Sequence, residues 1–133
     1  MNLIQKYQRA SVPKILHGFG ILSPPIPING LSKGLGIQVL GPGTTQNTPY
    51  PSILLKDLPE PDMRLHAAKD LGTLLGHTDT EQFALEILMP EFMVKFSYAK
   101  LSKNVEELAN LFKVPPTVMS ERMKALRMIM PCP

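Results

Sequence analysis

His66, Asp70, Thr73 and His77 recur at i, i+4, i+7 and i+11, and they are the residues best placed by type and spacing to do chemistry. An imidazole and a carboxylate four residues apart share a helix face, so His66 and Asp70 could grip a divalent metal ion. His77 cannot join them on a straight helix. Eleven residues carry it about 16 Å along the axis at ~1.5 Å per residue. The same four residues equally make the polar side of an amphipathic helix, with Ala67, Ala68, Leu71, Leu74 and Leu75 on the apolar side. The polar-face reading is taken as the default. Lys69 lies beside them, and Asp79 or Glu81 could compensate its ammonium. Other chemistries lack their patterns. There is no Gly-x-Ser-x-Gly elbow. The run GLSKGLG at 30–36 has the wrong order for a phosphate-binding loop, and its glycines read as turn and close-packing residues. Cys132 has no histidine near it in sequence.

Two segments carry a family resemblance. FALEILMP at 83–90 is close to the FAxELLMP signature of the ImmA/IrrE-type zinc metallopeptidases. RLHAAKDLGTLLGH at 64–77 stands where that family has RxxxAHELGHxxxH, with Arg64, Ala68, Leu71, Gly72 and His77 matching. The segment PIPINGLSKGLGIQVL resembles the family's entry segment, so the likeness runs from about residue 26 to residue 90. It continues more weakly through LANLFKVPPTVMSERMKAL, where Leu108, Ala109, Phe112, Val114, Met119, Arg122, Met123 and Leu126 match. The resemblance implies a zincin-like site, and this sequence departs from it at the metal. Lys69 and Thr73 occupy the seats of the two zinc histidines, and the general-base glutamate is Asp70. An ammonium offers no lone pair to a cation, and a hydroxyl is a poor zinc ligand. Asp79 and Glu81 lie where the family's acidic third ligand falls, and neither is assigned to it.

Prolines and glycines divide the chain into the elements that must position these residues. A short helix is predicted over 12–19, with Pro13 in its first turn and Gly18 and Gly20 at its end. The proline-rich stretch 23–28 must be extended. Asn29 is expected to cap a short helix over 30–35, stopped by Gly36, ahead of strands at 37–40 and 52–56. The polar loop 41–51 joins the strands. Asp62 is expected to cap the central helix, 63–76. A second helix, 78–89, turns Phe83, Ala84, Ile87 and Leu88 inward and closes at Pro90. The stretch 91–100 is predicted helical, with Phe92, Met93, Phe96 and Tyr98 continuing the core. Asn104 and Glu107 have capping-box spacing ahead of a stripe of Val105, Leu108, Ala109 and Phe112. A last helix carries Met119, Met123, Leu126 and Met130 on one face.

The 133 residues and 44% apolar content fit one domain with its own core. The fold class expected is α+β: a zincin-like, mostly helical domain with a small β-sheet and a C-terminal helical pair. Within it, 1–25 would be an N-terminal arm and short helix, 26–100 the core, and 101–133 a helix-turn-helix-like segment. A net charge of +3 without a dense basic block permits a nucleic-acid partner without arguing for one. Arg122, Lys124 and Arg127 are the weak candidates for such a contact, although they do not form a single stripe. One cysteine excludes an internal disulfide and fits a reducing cytoplasm. No apolar run reaches the ~20 residues of a membrane span, and the first ten residues lack a secretion-signal core. The eight methionines and the apolar C-terminal residues would suit a homodimer or a hetero-complex, and equally a soft core.

Active members of the family cut a helix-turn-helix repressor encoded beside them, often on a phage or other mobile element. The expectation for this chain is a pseudoenzyme, with no cofactor or metal. It would act in transcription regulation by binding a protein partner, a repressor or similar DNA-binding protein, through His66, Lys69, Asp70, Thr73, His77, Asp79 and Glu81. The alternatives are a divergent metal-dependent peptidase and a DNA-binding module built on the C-terminal helices.

Overall fold

Prolines, more than Asn and Asp side chains, decide where the helices begin. In the computed structural model, which describes residues 3–44 and 49–128, four helices are preceded by a proline: α3 (Ile28–Gly34) by Pro27, α4 (Glu60–Leu74) by Pro59, α6 (Glu91–Lys100) by Pro90 and α8 (Pro116–Ala125) by Pro115. A proline holds its own φ near −65° and has no N–H to satisfy, so it enters a helix at little cost. Asn29 and Asp62 are therefore not caps, contrary to the expectation from the sequence. Each lies inside the first turn of its helix, which the proline has already started. Side-chain caps act where no proline stands immediately before the helix. Ser11 accepts from the Lys14 N–H at the start of α2 (Val12–Gly18), Asp79 from Gln82 at the start of α5 (Thr80–Leu88), and Asn104 from Glu107 at the start of α7 (Val105–Phe112). One turn, α1 (Leu3–Lys6), precedes them all.

The molecule is mostly helical, with one two-stranded sheet. Strands β1 (Gln38–Leu40) and β2 (Ser52–Leu54) pair parallel, Val39 opposite Ile53, flanked by bonds from the Gln38 N–H to the Pro51 carbonyl and from the Leu55 N–H to the Leu40 carbonyl. Two helical hairpins form the centre of the frame, with the other helices packed around them. In the first, α4 and α5 close on Ala67, Ala68, Leu71 and Leu75 against Phe83, Ala84, Ile87 and Leu88, all buried. Gly72 sets how closely they approach, since a Cβ there would stand 2.8 Å from the Phe83 ring. In the second, α7 and α8 close on Leu108, Ala109, Phe112, Met119 and Met123, also buried. Met130 and Cys132 lie outside the described residues.

Two arginines, Arg122 buried and Arg64 half-buried, tie the hairpins together. Arg64 of α4 donates from Nε to the Lys113 carbonyl (3.1 Å) and from Nη2 to the Phe112 carbonyl (3.4 Å), at the C-terminal end of α7. Arg122 of α8, 5% exposed, donates from Nε to the Met89 carbonyl (3.0 Å), at the C-terminal end of α5. Each cation thus meets the carbonyls that a helix end leaves unpaired, where the helix dipole is negative. Burial lowers the proton affinity of both guanidinium groups. Glu60 opposes this at Arg64, and Glu86 and Glu91 oppose it at Arg122. Among the described residues no helix is long and apolar enough to cross a membrane.

Candidate functional site

The stripe read from the sequence is only partly a stripe. His66 and Thr73 are exposed on α4, and Lys69 and Asp70 are half-buried beside them. The Thr73 hydroxyl donates back to the Lys69 carbonyl (3.2 Å), a bond within its own helix. His77 leaves the stripe altogether. The helix ends at Leu74, Gly76 takes a left-handed φ of +77°, and the N–H groups of Gly76 and His77 bond the carbonyls of Thr73 and Gly72. This Schellman turn swings the His77 ring onto Phe83, with centroids 4.4 Å apart. Its Nε2 is buried with no hydrogen-bond partner among the described residues. The helix expected through residue 76 therefore stops two residues short, and an imidazole assigned to the polar face packs on the α4–α5 contact instead.

Neither acid forms an ion pair with Lys69 among the described residues. Asp79 is spent on capping α5, and Glu81 is exposed on that helix's first turn. The ion pairs among the described residues are Lys95 with Glu91 and Lys113 with Glu60, so Lys69 is paired with neither acid. Among the described residues no group of three or more His, Cys, Asp or Glu side chains is placed to hold a metal ion. The basic trio near the C-terminus is likewise split. Arg122 faces inward onto Met89, whereas Lys124 and Arg127 are exposed. With its Nε bonded inside and the residue only 5% exposed, this guanidinium is poorly placed to meet a phosphate.

Two grooves lie along α6 instead. One groove of about 600 Å³ runs between α6, the segment 22–24 and α7, with Leu22, Pro24, Phe92, Phe96, Leu101 and Leu111 among its walls. A second, of about 610 Å³, lies between α6, α5 and α2, with Leu16, Gln82, Glu86, Glu91, Lys95 and Arg122 among its walls. Phe92 is the ridge shared by both. The first groove is apolar and open. Leu22 is 80% exposed, Phe92 53%, Phe96 61% and Leu101 64%. The second is mixed, and Glu86 and Glu91 around Arg122 make it a poor receptor for an anion. Neither groove is lined by any of the seven residues expected from the sequence to bind a partner.

Phe92 and Phe96 were expected in the core, and the structure puts them outside it. The helix EFMVKFSYAK sends Met93, Val94 and Ser97 inward, which already fills the face it packs with. Four apolar residues at 92, 93, 94 and 96 span more than one face of a helix, so some of them had to face out. That surplus was the signal in the sequence. Comparison with known protein families, curated proteins and solved structures finds no match to this chain.

Proposed function

We propose that this protein is a non-catalytic regulator that works by binding another protein, and that the apolar groove along α6 is where the partner docks. The observation that carries this reading is the convergence of Leu22, Phe92, Phe96 and Leu101 on one groove while each stays more than half exposed. A contiguous exposed apolar surface of this kind is costly in water and marks a surface meant to be covered. A groove presenting a few apolar anchors suits an amphipathic helix. The likeness of residues 64–77 and 83–90 to the ImmA/IrrE pattern supports a zincin-like ancestry and a partner of the helix-turn-helix repressor type. The Lys69 ammonium and the Thr73 hydroxyl in the zinc seats support control by binding rather than by cleavage, since differential affinity alone shifts a partner's equilibrium. A cytoplasmic location belongs to the same proposal.

Titration calorimetry against the helix-turn-helix protein encoded nearest to this one tests the reading. Wild type should bind, and Phe96→Ser should weaken binding by tenfold or more, on the order expected for an apolar anchor. Loss of binding in His66→Ala with Asp70→Ala, but not in Phe96→Ser, would move the site back to the α4 stripe. Stoichiometric zinc in the purified protein, removed by His66→Ala and accompanied by peptide cleavage, would replace the whole reading with that of an enzyme.

A further inference from the structure

The residue pattern of α6 bears on what covers the groove. Glu91 and Lys95 pair four residues apart at 2.7 Å, both about half exposed. Phe92 and Phe96 repeat the same spacing one residue on. Glu91, Phe92 and Lys95 line one wall together, and Phe92 and Phe96 line the next. Any i,i+4 pair becomes self-complementary when its helix meets a second copy antiparallel about a two-fold axis between the two positions. Centred near residues 93–94, such a pairing sets Glu91 against the other copy's Lys95, and Phe92 against its Phe96, twice each. We propose that a second copy of this chain docks here, α6 against α6, as an isologous two-fold dimer. The proposal rests on the reading of the groove as a docking surface. It adds that self-association covers the surface, so that another partner must displace the second copy.

Charge and area both bear on this occupant. An antiparallel two-fold places each acidic end against a basic one, whereas a parallel pairing would set Lys95 against Lys95. Two phenylalanines at 53% and 61% exposure present about 230 Å² at roughly 200 Å² per side chain. Leu22 and Leu101, at 80% and 64%, add a comparable area. The pair of copies would then bury about 900 Å², somewhat under the ~1,200 Å² at the low end of stable interfaces. The dimer should therefore be weak and concentration-dependent, with a dissociation constant on the order of 100 µM.

Sedimentation equilibrium from 10 to 500 µM reads this directly. We expect wild type to dimerise and Phe96→Glu to stay monomeric with an unchanged circular dichroism spectrum, its side chain being surface. Glu91→Lys alone and Lys95→Glu alone should each weaken self-association by about tenfold, because each sets like charges across the axis. Mixing these two variants should restore association, because the mixed pair has every charge opposed again. A wild type that is monomeric throughout overturns the proposal, as does a dimer indifferent to Phe96→Glu or a mixture that fails to recover. Vesicles of anionic lipid that bind wild type but not Phe96→Glu, with no dimer formed, would assign the face to a lipid surface instead. A monomer that still binds the repressor through Phe96 overturns self-pairing alone and leaves the docking reading in place.

Discussion

Arg122 shows how a residue's place can invert its apparent role. In sequence it is the first of three cations near the C-terminus. In the structure its guanidinium is inside, donating to the Met89 carbonyl at the end of α5. Arg122→Ala should cost about 2–3 kcal/mol, since a charge-assisted bond is lost and a buried carbonyl is left bare. Urea denaturation measures this, and a change under ~0.5 kcal/mol would show that the bond does not matter to stability. Lys124 and Arg127 are the exposed members of the trio, so salt-dependent binding to duplex DNA is to be tested in those variants. His77 is the converse case, a polar ring carried into an apolar contact. Its Nε2 is buried without a partner among the described residues, and its ring already packs on Phe83. His77→Phe keeps that contact and removes the orphaned atom, so it should raise stability by about 1 kcal/mol. A fall in melting temperature would mean that the nitrogen has a role the apolar ring cannot fill.

At the scale of elements, the sequence was most legible where one apolar stripe had one face to fill. The inward residues of α4, α5 and α7 were readable for that reason: Ala67, Ala68 and Leu71, then Phe83, Ala84, Ile87 and Leu88, then Leu108, Ala109 and Phe112. Helix ends were less so, because two starting signals competed at Asn29 and Asp62 and the neighbouring proline won. Some ends show no glycine to mark them. Helices α7 and α8 close through left-handed Lys113 (φ 55°) and Arg127 (φ 60°), conformations that side chains with a Cβ enter at a cost of about 1 kcal/mol. Lys113→Gly should thus stabilise the protein by about 0.5–1 kcal/mol, even though it gives up the exposed ion pair with Glu60. Gly72→Ala should do the opposite of what helix propensity alone dictates. Alanine gains about 1 kcal/mol as a helix former, but its methyl would overlap the Phe83 ring and push α4 from α5, for a net loss of about 1–2 kcal/mol. Thermal denaturation of the two variants should move in opposite directions.

For the molecule as a whole, the candidate site was the least legible part, because surface and core are decided by what packs across, which a single strand of letters does not carry. Phe92 and Phe96 looked like core by composition and are surface, because Met93 and Val94 take the inward positions of α6. The cross-ties between hairpins were equally hidden, since Arg64 and Arg122 reach helix ends 48 and 33 residues away. These ties have a consequence for cooperativity. The α4–α5 hairpin contributes one arginine to the end of α7, and the α7–α8 hairpin contributes one to the end of α5. Neither hairpin can leave without stripping a carbonyl on the other, and the buried side chains of both belong to one continuous core. Unfolding should then be a single transition, coincident by far-ultraviolet circular dichroism and by the near-ultraviolet signal of the tyrosines. In Arg64→Ala with Arg122→Ala, the ties are gone and the two hairpins share only apolar contacts. The transition should broaden, with a lower denaturant slope than wild type, as the C-terminal hairpin begins to open first. Two separated transitions in the wild type itself would show that the hairpins are independent, and that the arginines cap helices without coupling them.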